Sequence, residues 1–268
     1  MEPLQGPMIT LTSLKEDLRN LGVHKGMTLI VHSSLSKLGW VCGGAEVVCR
    51  ALMEIVTDQG TILMPTQTPG NSDPAHWVSP PVSEDWWESI REHMPPYDPA
   101  YTPTMGMGVV PELFRTLPGV LRSEHPMWSL AAWGEDAAEI LAHHTIDIGF
   151  GPNSPLDRLL EKKGHILHLG SALETTTFWH RAEYECNVPT TTYACAMIEE
   201  DTRVWKSFSH IEVDAEPFIA MGEKWKEEPD CINGYIGKGK CYLFPVESAH
   251  KFAVSYLQSL SPLSNRIW

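Results

Sequence analysis

Two side chains in the segment Thr175-Thr176-Thr177-Phe178-Trp179-His180-Arg181-Ala182-Glu183 have the types and the spacing to move a proton. On a helix, residues three apart share a face, so the His180 imidazole and the Glu183 carboxylate would meet about 60° apart around the axis. A carboxylate on one ring nitrogen selects the tautomer, raises the basicity of the other nitrogen and stabilises the imidazolium formed when a proton is taken. The same spacing also describes a solvated helix pair without a chemical role, and the sequence leaves both readings open.

A second group follows the apolar run Met27 to His32, which reads as a buried strand emptying into Ser33-Ser34-Leu35-Ser36, with Gly43-Gly44 opening the next helix. Small hydroxyl residues and free backbone N–H groups at such a turn suit a phosphate or a pantetheine chain, although Ser-rich turns also serve simply as caps. Arg122-Ser123-Glu124-His125-Pro126 adds a guanidinium that fits either a phosphate contact or an ordinary surface position.

From Glu183 to Asp230 there are 12 carboxylates against 4 Lys or Arg. Such runs are usually solvated faces, but carboxylates near His180, with Glu185 and Glu212 as candidates, would hold a polycation. Asp73, in a Trp-rich loop, is the candidate from an opposite wall. The whole chain has 20 basic and 34 acidic residues, a net charge of −14. Nucleic acid is an unsuited partner for such a surface, whereas cations are attracted to it.

Other motifs fail on inspection. Gly106-Met107-Gly108-Val109-Val110-Pro111 has proline where the third glycine of a dinucleotide fingerprint belongs. There is no GxSxG elbow and no Walker A sequence. His165 and His168, three apart on an expected strand, fall on opposite faces, so no metal site is expected. The six cysteines are dispersed without a CxxC pair, which suits reduced thiols. With no secretory leader pattern at the start and no apolar stretch approaching the roughly 20 residues of a membrane span, a cytoplasmic protein is expected. Exposed tryptophans such as Trp268 leave a homo-oligomer open, as they do ordinary surface placement.

The elements that would position these groups alternate. Leu14, Leu18 and Leu21 mark a helix behind Thr12, then a strand over Met27–His32, a helix carrying Val47, Val48, Ala51, Leu52 and Ile55, and a strand over Thr61–Met64. Between Pro65 and Gly108 lies a long Pro- and Trp-rich segment with a helix from Ser83 to Met94, expected to be an ordered active-site insertion. Short elements follow: a helix over Pro111–Leu117, a strand over Trp128–Trp133, a helix over Glu135–His143, a helix capped by Ser154-Pro155 and a strand over His165–Leu169. A helix over Thr176–Cys186, strands near Thr190–Ile198 and Val204–Val213, a helix over Ala215–Lys226, a strand over Lys240–Phe244 and a helix over Val246–Leu257 complete the chain. The pattern predicts one α/β domain over residues 1–268, a layered α/β/α sandwich with a mixed sheet.

The ordered series Val31-His32-Ser33-Ser34-Leu35, Leu63-Met64-Pro65-Thr66, Met107-Gly108-Val109-Val110-Pro111-Glu112, Arg122-Ser123-Glu124-His125-Pro126, Gly151-Pro152-Asn153-Ser154-Pro155 and Thr177-Phe178-Trp179-His180-Arg181-Ala182-Glu183 closely resembles the aminoglycoside 3-N-acetyltransferase family of antibiotic-resistance enzymes. The resemblance runs from about Leu14 to Leu257, and the Trp-rich Ser72-Asp73-Pro74-Ala75-His76-Trp77 and Glu84-Asp85-Trp86-Trp87 are most similar to its Bacillus-type branch. It implies acetyl transfer from acetyl-CoA to the 3-amino group of the deoxystreptamine ring of a cationic aminoglycoside, on a fold distinct from the common acetyltransferase superfold and without a metal. By that resemblance His180 would be the base and Glu183 its orienting carboxylate. His32, Ser33, Ser34, Leu35, Ser36, Met107, Val109, Arg122 and Ser123 would form the coenzyme site.

The Phe178-Trp179 pair departs from the smaller or aliphatic residues common there and implies a reshaped acceptor pocket. Direct attack in a ternary complex is expected. An acyl-enzyme on Cys186 is the alternative, opposed by its six-residue separation from His180, about 120° around a helix. A coenzyme- or aminosugar-binding protein without turnover is the other.

Overall fold

The computed structural model describes residues 6–260; Trp268 lies outside the described residues. In chain order the elements are α1 (Leu11–Leu21), β1 (Thr28–Ser33), α2 (Leu35–Leu38), α3 (Gly44–Val56), β2 (Thr61–Pro65), α4 (Trp87–His93), α5 (Val109–Phe114), β3 (Leu121–Arg122), β4 (Leu130–Gly134) and α6 (Ala137–Leu141). Then come α7 (Pro155–Glu161), β5 (His165–Leu169), α8 (His180–Glu183), β6 (Thr190–Glu199), β7 (Thr202–Ile211), α9 (Glu216–Trp225), β8 (Ile232–Ile236), β9 (Gly239–Pro245) and α10 (Val246–Ser259).

Seven strands form one sheet in the order β3-β4-β2-β1-β5-β9-β8, and β6-β7 form a separate ribbon. β1 pairs in parallel with β2 and with β5, while the flanking strands pair antiparallel. The central strands are near-continuous apolar runs because both of their faces are covered. Leu29, Val31, Ile62, Met64, Leu167 and Leu169 pack with α1, α3 and α5 on one face. Ile30, Leu63 and Ile166, one residue out of phase, pack with α6, α7, α9 and α10 on the other. The period of two along a strand sorts the residues between the two layers, and the α/β/α sandwich with a mixed sheet results.

Several local expectations shift. Thr10 rather than Thr12 caps α1, in a reciprocal capping box with Ser13. Ser154 caps α7 with Pro155 at its first position, as the sequence predicts. The helix expected over Thr176–Cys186 is instead two 3-10 turns, Leu173–Thr175 and Thr177–Trp179, running into the four-residue α8. Three consecutive threonines disfavour an α-helix, and the Thr175 and Thr176 hydroxyls donate back to the Ala172 and Leu173 carbonyls. β8, reading Ile-Asn-Gly-Tyr-Ile, and the two-residue β3 were not expected. Asn and Gly are poor strand formers, and β8 is held at the sheet edge by pairing to β9.

The segment from Pro65 to Gly108 is ordered by the ribbon. The Asn71 amide exchanges two hydrogen bonds with the backbone of Ala196, the Tyr97 N–H donates to the Ala196 carbonyl, and Arg203 donates to the Met94 carbonyl at 3.0 Å. The expected helix there reduces to a 3-10 turn, Glu84–Trp86, followed by α4. No helix among the described residues is long and apolar enough to cross a membrane.

Candidate active site

The parallel strands β2, β1 and β5 end along one edge of the sheet, the edge at which open α/β sheets leave a crevice. A cavity of about 890 Å³ lies there, lined by Pro65 after β2, His32 to Lys37 after β1, Gly170 to Ala172 after β5, and Gly106 to Pro111 at the start of α5. Gly106 and Gly108 adopt left-handed backbone conformations (φ 78° and 88°), which lets the chain turn tightly against the strand ends. Of the sequence candidates for the coenzyme site, His32, Ser33, Ser34, Leu35, Ser36, Met107 and Val109 all line this cavity. Two buried polar atoms in its wall, His32 Nε2 and Ser33 Oγ, have no partner in the protein. Such atoms cost stability unless something accepts or donates to them.

His32 stacks on its register partner His168, with ring centroids 4.7 Å apart and planes 16° from parallel. Burial pushes His32 down to about 3 and His168 well below the ordinary imidazole value, so both rings are neutral near pH 7. His168 is fixed by Ser171 at 2.9 Å and Thr176 at 3.0 Å. His165 falls on the opposite face of β5, and no cluster of three metal-ligating side chains exists among the described residues.

The far end of the cavity reaches Thr175 and Thr177, and Thr177 opens the turn that delivers His180. The His180 Nδ1 lies 2.8 Å from Glu183 Oε2, and the other oxygen of that carboxylate accepts the Asp214 N–H at 3.1 Å. Glu183 is only 3% exposed. A carboxylate so buried can accept but not donate while ionised, so Nδ1 carries the hydrogen and Nε2 presents its lone pair. Nε2 has no protein partner among the described residues. The ring lies flat on Phe150 (centroids 5.2 Å apart, 13° between planes) and against Phe218 at 4.7 Å.

The geometry separates the remaining candidates from the cavity. Arg122 spends its guanidinium inside the protein, on the carbonyls of Thr66, Pro99 and Thr102 and the hydroxyls of Thr66 and Ser129. Ser123 Oγ accepts the Leu130 N–H and donates to His144 Nδ1, whose other nitrogen donates to the Gly149 carbonyl at 2.7 Å. Neither residue lines the cavity. Asp73 caps a 3-10 turn and binds Arg91 at 2.7 Å; burial acts to raise its pKa, yet the Arg91 hydrogen bonds leave it lowered. Glu185 accepts from Arg181 and His250, on the side of α10. Glu212 is exposed just beyond β7, two residues from Asp214.

Phe178 and Trp179 are fully buried in the core, Trp179 edge-on to Phe218, so they support His180 from beneath and do not shape an open pocket. Cys186 gives its thiol to the Ala182 carbonyl at 3.4 Å, and burial, with Glu183 and Glu185 adding, raises its pKa. That is the wrong direction for a nucleophile. Tyr184, His210 and Phe150 were not foreseen around His180. The Gly149-Phe150-Gly151 sequence, two glycines flanking an aromatic, was the available signal.

A family model described as aminoglycoside 3-N-acetyltransferase matches residues 30–258. The chain is 44% identical over 246 residues to the SPbeta prophage-derived aminoglycoside N(3')-acetyltransferase-like protein YokD of Bacillus subtilis (strain 168), covering 91% of this chain and 90% of that one. The crystal structure of YokD superposes with a TM-score of 0.92 at 41% identity, covering 96% of this chain and 97% of that one. Aminoglycoside N(3)-acetyltransferase IX of Micromonospora chalcea is 32% identical over 270 residues, 95% of each chain. A solved structure described as AAC-IIIb binary with CoASH matches with a TM-score of 0.83 at 28% identity, covering 96% of this chain and all of that one.

Proposed function

The chain belongs to the aminoglycoside 3-N-acetyltransferase family, and from that membership we propose that it transfers the acetyl group of acetyl-CoA to the 3-amino group of the deoxystreptamine ring of an aminoglycoside, with His180 as general base. The observation that carries this reading is the His180–Glu183 pair, with Nε2 free, at the inner end of a cavity whose wall holds unpartnered polar atoms.

An ammonium cannot attack a thioester, so the acceptor nitrogen must lose its proton as the bond forms. His180 Nε2 takes that proton while the nitrogen bonds to the acetyl carbonyl carbon and the carbon–sulfur bond breaks. The departing sulfur then receives the proton, which gives the CoA thiol and restores the neutral ring. Glu183 holds Nδ1–H throughout, and its own second oxygen is tied to the Asp214 N–H. Charge developing on the acetyl oxygen needs a donor at hydrogen-bond distance. Ser33 Oγ, buried and unpartnered beside the cavity, supplies one. The cavity walls at His32 to Ser36 and at Met107 and Val109 take the donor; a donor of this kind agrees with the CoASH in the AAC-IIIb structure. The cationic acceptor is drawn to a surface of net charge −14, and the exposed Glu212 is placed to meet it near Asp214. We assign this reaction to the cytoplasm, in one domain, consistent with six free thiols.

The test is CoA thiol release from acetyl-CoA with gentamicin, tobramycin, neomycin and a neutral amine, with mass spectrometry of the products. A single acetyl group on the 3-amine supports the proposal. Folded protein that binds acetyl-CoA without turning over any aminoglycoside overturns the acceptor assignment.

A further inference from the structure

The ring stacked on His180 is itself held by a side-chain clamp that the reaction described above does not use. Tyr184 Oη accepts the Phe150 N–H at 2.9 Å and lies 2.6 Å from His210 Nε2. His210 Nδ1 is 3.1 Å from the Ile211 carbonyl, so Nδ1 carries the hydrogen and the phenol donates to Nε2. The fit leaves no room beside the clamp. A Cβ on Gly149 would stand 2.2 Å from His210 Nε2, and one on Gly151 would stand 2.3 Å from the Tyr184 ring. Glycine on both sides of Phe150 therefore allows the backbone to lie directly against Tyr184 and His210. From the opposite side, His144 donates to the Gly149 carbonyl.

We propose that Tyr184 and His210 are positioning residues for the base: they clamp the Gly149-Phe150-Gly151 backbone so that the Phe150 ring fixes the plane of the His180 imidazole. Glu183 anchors His180 at one atom, Nδ1, and a ring held at one atom still rotates about that bond. Phe150 on one face and Phe218 on the other remove that rotation, and Nε2 then keeps one direction. Small angular errors at a proton-accepting atom reduce turnover without weakening substrate binding. The clamp comes from three separate parts of the chain: the loop before α7, the residue after α8 and the end of β7.

This inference rests on His180 being the base, and its test separates the two. In Tyr184→Phe, kcat for aminoglycoside acetylation is expected to fall about ten- to hundredfold, with KM for acetyl-CoA unchanged. The His180 Cε1–H resonance, assigned by its loss in His180→Ala, is expected to move as the Phe150 ring current shifts. Phe150→Leu, which keeps the backbone hydrogen bond, should move the same resonance and lower kcat similarly. The double variant should be no worse than either single one, because both act through one contact. If Tyr184→Phe is poorly folded, Phe150→Leu alone carries the test. An unmoved resonance, or additive losses in the double variant, overturns the positioning role while leaving the base in place. Normal turnover by His180→Ala overturns the base, and this role with it.

Discussion

His32 and His180 are both histidines packed face to face on another ring, and they stand at the two ends of the cavity region with opposite chemistry. His32 stacks on a second buried imidazole with no carboxylate near it, and burial drives it to about 3. His180 stacks on a phenyl ring with a buried carboxylate on Nδ1. Burial alone turns an imidazole into a neutral wall that can hold a ligand by a hydrogen bond. The anion on the far nitrogen is what turns the same ring into a proton acceptor.

The largest effect that would break this comparison is loss of the acceptor itself. His180→Ala is expected to lower kcat by about 10² to 10⁴ with acetyl-CoA binding retained, measured by thiol release and by calorimetry; near-wild-type turnover would remove the distinction. Glu183→Gln should cost about 10² in kcat, since an amide leaves a neutral partner at Nδ1 and no longer favours the cationic ring. A Glu183→Gln enzyme as active as the parent would mean that position, rather than charge, matters.

At the other end, Ser33→Ala should raise KM for acetyl-CoA or lower kcat by about five- to tenfold, the scale of one hydrogen bond. No change in either parameter would show that the orphaned hydroxyl faces nothing in the ternary complex.

The buried histidines also set an acid limit. Unfolded imidazoles protonate near about pH 6.5, whereas His32 resists to about 3 and His144 to about 4. Their lowered values make the folded state fully stable above about pH 6.5 and less stable as pH falls toward 4, by about 1.4 kcal/mol per pH unit for each such ring. Denaturant midpoints measured between pH 7.5 and 4.5 should fall accordingly, with a shallower slope in His32→Asn. A slope that is the same in both proteins would count against a neutral His32. The smallest expected effect is that of Cys186→Ser, which should leave turnover within about twofold because its thiol pKa is raised. Loss of activity there would revive an acyl-enzyme.

Much of the frame was legible because it depends on short-range periodicity. The apolar runs of β1, β2 and β5, the amphipathic spacing in α1 and α3, and the Ser154-Pro155 cap are local signals, and each element forms close to its expected place. β8 was missed because Asn233 and Gly234 carry no strand signal; pairing to β9 alone makes it a strand. The helix around His180 was overestimated, yet the pair still meets, because even the single turn of α8 preserves the three-residue spacing.

Arg122 and Ser123 show the limit of that reading. A guanidinium and a hydroxyl near a loop suit a phosphate in sequence, but in the fold their hydrogen bonds go to Thr66, Pro99, Thr102 and His144. Phe178 and Trp179 likewise read as pocket residues and are core.

The sequence by itself determined the α/β layering, the family and the pairing of His180 with Glu183, since periodicity and i to i+3 contact need only neighbouring residues. Only the tertiary structure decided which atoms surround that pair. Phe150, Tyr184, His210, Phe218 and the Asp214 N–H are 4 to 38 residues away from His180 in the chain. Their approach depends on how strands and connecting loops are placed in three dimensions, which no local pattern encodes.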